Sequence, residues 1–208
     1  RSVSDGLAVC CSCCPSPLQG QCGSCWSFST TGSLEGAYAI KYGTHKNFSE
    51  EQLVSCDESD HGCNGGFMTT AFQWIKDNGG ICTEEAFPYD AKVDKCMKCK
   101  VVPGTAPKGW VDVHQSDMAL MTALTVGPVS VAIQVRFIAG GSTRSCVRRC
   151  LTQHVCVAPS ILQANQRAFQ LYKGGVLTGR CGTQLDHGVV AVGFGTDNGQ
   201  DYYKIRNR

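Results

Sequence analysis

The sequence has no long apolar stretch and no excess of charge of one sign. No run approaches the roughly 20 apolar residues that a membrane-spanning helix requires, so we expect no membrane association. The formal net charge of +2 over 208 residues gives no argument for a nucleic acid as a partner. The chain also lacks repeats and low-complexity linkers, and no signal-peptide pattern opens it at Arg1. We therefore expect a mature form or a fragment, with one domain or two small domains that share an interface.

Cysteine, in contrast, is abundant. The chain contains 15 cysteines and 24 glycines, and a high cysteine content is typical of proteins from oxidising compartments. We therefore expect a lysosomal, vacuolar or extracellular location. Because the cysteine count is odd, at least one cysteine has no partner within the chain.

The first half of the chain carries helical patterns. Apolar periodicity predicts helices over residues 24–41 and 68–77. Between them, Ser49 at the N-cap and Gln52 three residues later form a capping box that begins a short helix. A further helix is predicted over residues 117–124.

The second half carries strand patterns. Runs of helices followed by runs of strands favour an α+β fold with two lobes and a cleft between them. We expect a mainly helical lobe over residues 1–111 and a β-rich lobe over residues 112–208. The predicted strands cover residues 110–113, 129–134, 188–194 and 202–205.

Cys25 is the candidate nucleophile. It follows a glycine-rich turn and stands at the predicted start of the first helix. Unpaired backbone N–H groups and the positive end of the helix dipole favour a thiolate at such a position, and the thiolate is the nucleophilic form of cysteine. The alternative is that Cys25 is a structural half-cystine, as most cysteines in a cysteine-rich chain are.

A nucleophilic cysteine needs a base, and the base needs a group that orients it. Of the five histidines, His187 alone stands at the start of an apolar strand and is followed by a glycine. The last predicted strand ends at Asn207, whose amide oxygen can accept the imidazole N–H. The alternative for His187 is an ordinary surface residue at a strand start.

Four separated motifs, at residues 19–26, 63–66, 185–188 and 204–207, together resemble the papain family of cysteine peptidases, and the resemblance is closest to the cathepsin L type. It implies a helical N-terminal lobe and an antiparallel, β-barrel-like C-terminal lobe with the active site in the cleft. It implies a cysteine endopeptidase that needs no cofactor and no metal. The expected partners are peptide or protein substrates, with a propeptide or cystatin-like inhibitors as further candidates, and we expect a monomer.

The resemblance also implies a role for each matching residue. Cys25 matches the nucleophile, His187 the residue that shares its proton, and Asn207 the residue that orients the imidazole. Gln19 matches the side-chain donor of the oxyanion hole, which acts together with the backbone N–H of Cys25.

The substrate-binding residues are implied in the same way. Gly65 and Gly66 match a backbone clamp for an extended substrate, and small or apolar side chains match a pocket for a hydrophobic residue two positions before the scissile bond (P2). The alternative for Phe67 and Met68 is simple core packing. The matching positions are Gly23, Gly65, Gly66, Phe67, Met68, Ala132, Leu185, Asp186 and Gly188.

The resemblance pairs some of the cysteines. It implies the disulfides Cys22–Cys63 and Cys56–Cys96, with Cys99 as a rival to Cys96, and it leaves Cys25 free. A bond between Cys82 and Cys99 is a further possibility. Cys181 matches a half-cystine whose partner in the family lies beyond Asn207.

The spacing of the motifs departs from the family. His187 and Asn207 follow Cys25 by 162 and 182 residues, whereas roughly 130–150 is expected. Removing residues 135–163 shortens both gaps by 29 residues, so this segment is predicted to be an insertion. Our hypothesis is that it is a retained intron or a gene-model error. Residues 10–18 are interpreted as a second such remnant.

Two alternatives remain. A zinc site at Cys146, Cys150, His154 and Cys156 within the insertion, with Cys96 and Cys99 as further candidate ligands, is a rival interpretation. The family pattern also continues beyond Arg208, which predicts a truncated C-terminus. The rival function is therefore a catalytically silent or truncated homologue that only binds peptides or inhibitors.

Overall fold

The computed structural model describes residues 19–133, 176 and 185–207. In this part of the chain no helix is both long and apolar enough to cross a membrane. The predictions on residues 10–18, on the insertion at 135–163 with its zinc candidates, and on Cys181 lie outside the described residues. The elements are α1 (Cys25–Tyr42), α2 (Glu50–Cys56), a 3₁₀ turn (Gly62–Asn64), α3 (Met68–Asp77), α4 (Asp117–Leu124), β1 (Val129–Ile133), β2 (His187–Asp197) and β3 (Gln200–Arg206).

The mixture of helices and an antiparallel sheet confirms the predicted α+β class. All four predicted helices form, and three of the four predicted strands form. The strand predicted over residues 110–113 is wrong, because these residues are irregular. Trp110 and Val111 are 38% and 88% exposed, so their β propensity has neither burial nor pairing to support it.

The capping box at α2 forms only in part. Ser49 Oγ accepts a hydrogen bond from the Gln52 N–H at 2.9 Å, as predicted. The Gln52 side chain does not close the box, because its Oε1 accepts instead from the Cys82 N–H at 2.8 Å. The Ser49 N–H donates to the Cys82 carbonyl at 3.0 Å. A tertiary contact with Cys82 therefore replaces half of the local motif.

α1 carries small residues on the face that meets the sheet. Ser29 Oγ donates to the Val189 carbonyl at 2.7 Å, which fixes the helix to β2. A Cβ added to Gly32 would lie 2.9 Å from Val190 Cγ2, and such a distance is shorter than ordinary van der Waals contact. The small side chains therefore allow the helix to lie directly against the strand.

Within the described residues, the sheet has three antiparallel strands in the order β1-β2-β3. Ile133 pairs with His187, and Val190 pairs with Arg206. Asn198 and Gly199 join β2 to β3 with φ values of 49° and 77°, which are the positive values that a two-residue type I′ hairpin turn requires. The hairpin returns the chain so that the end of β3 lies beside the start of β2.

Two clusters of buried apolar residues support these elements. One lies among the first three helices and includes Trp26, Phe48 and Leu53. The other lies between α4 and the sheet and includes Leu120 and Ile133. The lobe boundary between residues 111 and 112 stays a prediction.

Three disulfides join the described cysteines. The bonds Cys22–Cys63 and Cys56–Cys96 form as expected, which decides against Cys99 as the partner of Cys56. Cys82 bonds to Cys99. Because Cys96 and Cys99 are both in disulfides, the suggestion that they are zinc ligands is wrong. Among the described cysteines only Cys25 is free, so the half-cystine alternative for it is wrong.

Candidate active site

Cys25 is the first residue of α1 and is half-buried. The turn before it is joined to the segment that follows Gly62, because Cys22 is bonded to Cys63 and the Gly23 N–H donates to the Cys63 carbonyl at 2.8 Å. A Cβ at Gly23 would lie 2.6 Å from that carbonyl oxygen. Only glycine therefore allows the two segments to lie so close together.

Burial dominates the protonation of the Cys25 thiol. It raises the pKa of Cys25, and this effect exceeds the lowering by hydrogen bonds from the backbone N–H groups of Gly188 and Trp26. The helix N-terminus is therefore not sufficient by itself to favour a thiolate at Cys25, because desolvation disfavours an unpaired charged form.

His187 is held by Asn207. The imidazole Nε2 lies 2.8 Å from Asn207 Oδ1, and His187 is 8% exposed. Since an amide oxygen can only accept, Nε2 carries the proton, and Nδ1 of the neutral ring is left as the basic nitrogen. Burial lowers the pKa of His187, and the hydrogen bond to Asn207 acts in the opposite direction.

The start of β2 lies against the start of α1. The Gly188 N–H is a hydrogen-bond partner of the Cys25 thiol. A Cβ added to Gly188 would lie 3.2 Å from the Cys25 carbonyl oxygen. Gly188, the residue after His187, therefore contacts Cys25, and Asn207 belongs to the same cluster through its hydrogen bond to His187.

Gln19 lies at the turn before Cys25. Its Nε2 donates to the Cys22 carbonyl at 2.8 Å. Because a primary amide has two N–H groups, this bond orients the side chain and uses only one of them.

Asp186 is exposed beside His187, and its N–H donates to the Ile133 carbonyl at 3.0 Å.

Gly65 and Gly66 are glycines for different reasons. Gly65 has a φ of 108°, and no atom lies within 4 Å of a Cβ built on it, so the requirement is conformational. A Cβ on Gly66 would lie 2.6 Å from the Trp26 ring, so there the requirement is space. The Gly65 carbonyl accepts from the His61 N–H at 2.9 Å.

Asp60 supports the segment that follows these glycines, and sequence reasoning missed it. Its carboxylate accepts from the Phe67 N–H at 2.8 Å and from Thr70 Oγ1 at 2.7 Å, although it is only 8% exposed. A carboxylate near the start of a helix is a recognisable local signal. Asp60, however, precedes the first turn of α3 by eight residues, which no capping pattern predicts.

The apolar candidates divide into two groups. Ala132 pairs with Gly188 across the sheet, and Met68 Sδ lies 3.3 Å from the position of a Gly188 Cβ, so these three lie together beside Cys25. Phe67 and Leu185 are 70% and 42% exposed. The core alternative is therefore wrong for Phe67, whereas Met68 also packs against the helical core.

No group of three or more His, Cys, Asp or Glu residues suited to a metal ion occurs within residues 19–133 and 185–207.

Comparison with protein families matches the chain to the family model described as "Papain family cysteine protease", over residues 9–142 and 142–208. The two matched segments meet at residue 142, inside the stretch predicted to be an insertion.

Curated relatives match most of this chain. The probable cysteine protease RD21C of Arabidopsis thaliana is 46% identical over 193 residues, covering 91% of this chain and 36% of the relative. Cathepsin L1 of Drosophila melanogaster is 42% identical over 196 residues, covering 91% of this chain and 45% of the relative. The chain thus spans less than half the length of either relative.

Solved structures of similar proteins share the fold. The ragweed pollen allergen Amb a 11, a cysteine protease solved in its proform, superposes with a TM-score of 0.73 at 34% identity, covering 91% of this chain and 49% of that chain. The Carica candamarcensis cysteine protease CMS1MS2, solved in complex with E-64, gives a TM-score of 0.69 at 31% identity, covering 93% of this chain and 76% of that chain.

Proposed function

Because the chain belongs to the papain family of cysteine proteases, we propose that it is an endopeptidase that hydrolyses peptide bonds with Cys25 as nucleophile. The observation that carries this proposal is the cluster formed by a free Cys25, the Gly188 N–H at its thiol, and the 2.8 Å bond between His187 and Asn207.

The reaction begins with a proton transfer. Burial disfavours a lone thiolate at Cys25 and a lone imidazolium at His187. Transfer of the thiol proton to Nδ1 of His187 creates two opposite charges at once, and each stabilises the other most strongly where water is excluded. Asn207 accepts from Nε2–H and keeps the ring in the orientation that presents Nδ1.

The thiolate then attacks the carbonyl carbon of the substrate. The C=O π electrons move to oxygen, and the oxyanion accepts hydrogen bonds from the Cys25 N–H and from the second N–H of the Gln19 amide. His187 returns its proton to the leaving amine as the C–N bond breaks, which leaves an acyl-enzyme. Water, deprotonated by His187, hydrolyses that thioester and restores the thiol.

The substrate lies extended along residues 65 and 66, and its P2 side chain occupies the pocket formed by Met68, Ala132 and Gly188. The apolar character of these side chains supports a preference for a hydrophobic P2 residue. The proposal assigns Phe67 and Leu185, which are exposed, to the border of this pocket.

The proposed partners follow from the same site. Peptide or protein substrates are accompanied by a propeptide and by peptide-like inhibitors, since related structures are a proform and an E-64 complex. The three disulfides support a lysosomal, vacuolar or extracellular location. We propose that the protein acts as a monomer.

Labelling of the full chain tests the proposal. Under reducing and mildly acidic conditions, an epoxide of the E-64 type should add one molecule per chain at Cys25, located by peptide mass mapping. Cys25→Ser should abolish labelling and also the hydrolysis of a peptide with Phe at P2, and a peptide with Asp at P2 should be a poor substrate. An unlabelled Cys25 in a folded wild-type chain would instead support the catalytically silent homologue.

A further inference from the structure

The hydroxyl of Tyr89 contacts both ends of the turn that precedes Cys25. It lies 2.7 Å from the Gln19 carbonyl and 2.6 Å from Ser24 Oγ. Tyr89 is 70 residues from Gln19 and 65 from Ser24 in sequence, so no local motif accounts for this arrangement.

The direction of these two bonds is determined by their donors. A phenol has one proton, and the Gln19 carbonyl can only accept it. Tyr89 therefore donates to Gln19 and accepts from the Ser24 hydroxyl. The Ser24 proton is then engaged with Tyr89, and the 3.5 Å contact from Ser24 Oγ to the Cys22 carbonyl is the weaker alternative.

The Tyr89 side chain is itself held in place. Its ring packs edge-on against Phe28, with the centroids 4.8 Å apart and the planes at 78°. Its N–H donates to Glu84 Oε1 at 2.8 Å. Burial raises the pKa of Tyr89 to about 12, so the hydroxyl keeps its proton at acidic and neutral pH.

We infer that Tyr89 is a positioning residue for the oxyanion hole. Its hydroxyl holds the backbone of Gln19 in place relative to the first turn of α1. This inference rests on the proposed function. Ser24 is the N-cap of α1 and immediately precedes Cys25, which supplies one oxyanion donor. Gln19 supplies the other donor, and its amide is oriented by the Cys22 carbonyl. The Tyr89 hydroxyl thus connects the backbone positions on which the two donors depend, without touching the substrate.

Tyr89→Phe removes the hydroxyl and keeps the ring on Phe28. Loss of one oxyanion donor lowers kcat by about 10²–10³. A donor that is misplaced but present should cost less, and we expect kcat to fall about tenfold while KM changes by less than about twofold. In a Gln19→Ala background the same change should cost less than about threefold, because the donor that it positions is absent. A tenfold loss in both backgrounds, or no loss in either, would overturn the inference.

A second pair of measurements separates positioning from general damage. A peptide aldehyde forms a tetrahedral adduct whose oxygen needs the oxyanion hole, whereas alkylation of Cys25 by iodoacetamide does not. Tyr89→Phe should weaken aldehyde binding by the same factor as kcat/KM and leave the alkylation rate unchanged. Tyr203→Phe is the matched control, because it removes a 2.6 Å hydrogen bond to Asp117 in the β-rich part of the chain and should leave kcat unchanged. Equal losses in both assays for Tyr89→Phe would show that its role is only structural.

Failure of the proposed function gives a different result. If wild-type protein neither cleaves peptides nor reacts with the epoxide, the function is wrong. The hydrogen-bonded connection between Tyr89 and Ser24, from which the inference starts, is then tested separately by a double-mutant cycle of unfolding free energies with Ser24→Ala. The double variant should lose no more stability than the more damaging single variant, because both substitutions break the same series of hydrogen bonds from Ser24 through Tyr89 to Gln19. Additive losses would overturn the inference.

Discussion

Replacing Asp57 by asparagine should stabilise the protein at neutral pH and much less at acidic pH. Asp57 caps the end of α2 and is only 4% exposed. Burial, followed by the charge of the nearby Asp60 carboxylate, raises the pKa of Asp57 from 3.8 to about 6. Asparagine keeps the oxygen that accepts the Ser59 N–H at 2.9 Å and removes the ionisation.

The magnitude follows from linkage. The folded state binds the Asp57 proton more tightly than the unfolded state, so wild-type stability is highest below the unfolded pKa and falls as pH rises through the folded pKa. A pKa difference of about 2 corresponds to about 3 kcal/mol of unfolding free energy. The gain from Asp57→Asn should therefore be about 1 kcal/mol near pH 4.5 and should approach about 3 kcal/mol near pH 7.5.

Urea unfolding at these two pH values measures the difference. Asp94→Asn is the control with the opposite sign, because Asp94 is exposed and the Lys95 N–H and the Lys92 charge lower its pKa. This variant should show no gain at neutral pH. A stability change in Asp57→Asn that is equal at both pH values would refute the reasoning, because the effect would not arise from ionisation.

Two further predictions concern buried contacts. The fully buried Glu35 carboxylate forms a 3.0 Å ion pair with Arg206, so Glu35→Gln should lower the free energy of unfolding by about 3–5 kcal/mol. Denaturant titration measures this change. A loss below about 1 kcal/mol, as at an exposed pair, would contradict the prediction. Gly188→Ala should slow epoxide labelling of Cys25 more than tenfold, because the new Cβ would lie 3.2 Å from the Cys25 carbonyl oxygen. Gly193→Ala is the control: its new Cβ would have its nearest neighbour at 4.0 Å, so this variant should be labelled at the wild-type rate.

Local patterns were sufficient for the helices. The predicted ranges 68–77 and 117–124 coincide with α3 and α4, because apolar periodicity and end signals act within one or two turns. The strand predicted over residues 110–113 failed because a strand also needs a partner, which β propensity alone does not supply.

The candidate site was predictable only in part. Cys25, His187 and Asn207 each stand at the end of an element with a recognisable local pattern, and the hairpin of β2 and β3 brings the last two together. Asp60 and Tyr89 were missed because their hydrogen bonds connect loops that no periodicity relates. Their contributions depend on tertiary distances, which a single sequence does not contain.

Helix α1 fixes the position of the turn that carries Gln19 relative to the strand that carries His187. At its N-terminus, the hydrogen bonds of the Tyr89 hydroxyl and the Cys22–Cys63 disulfide fix the turn that carries Gln19. Along its length, Ser29 and Gly32 place the same helix in contact with β2, whose first residue is His187. The proposed oxyanion donors and the proposed base are therefore both positioned relative to one helix. A larger residue at Gly32 would collide with Val190 of β2, so we expect it to move the proposed base away from Cys25, which slower epoxide labelling of Cys25 would show.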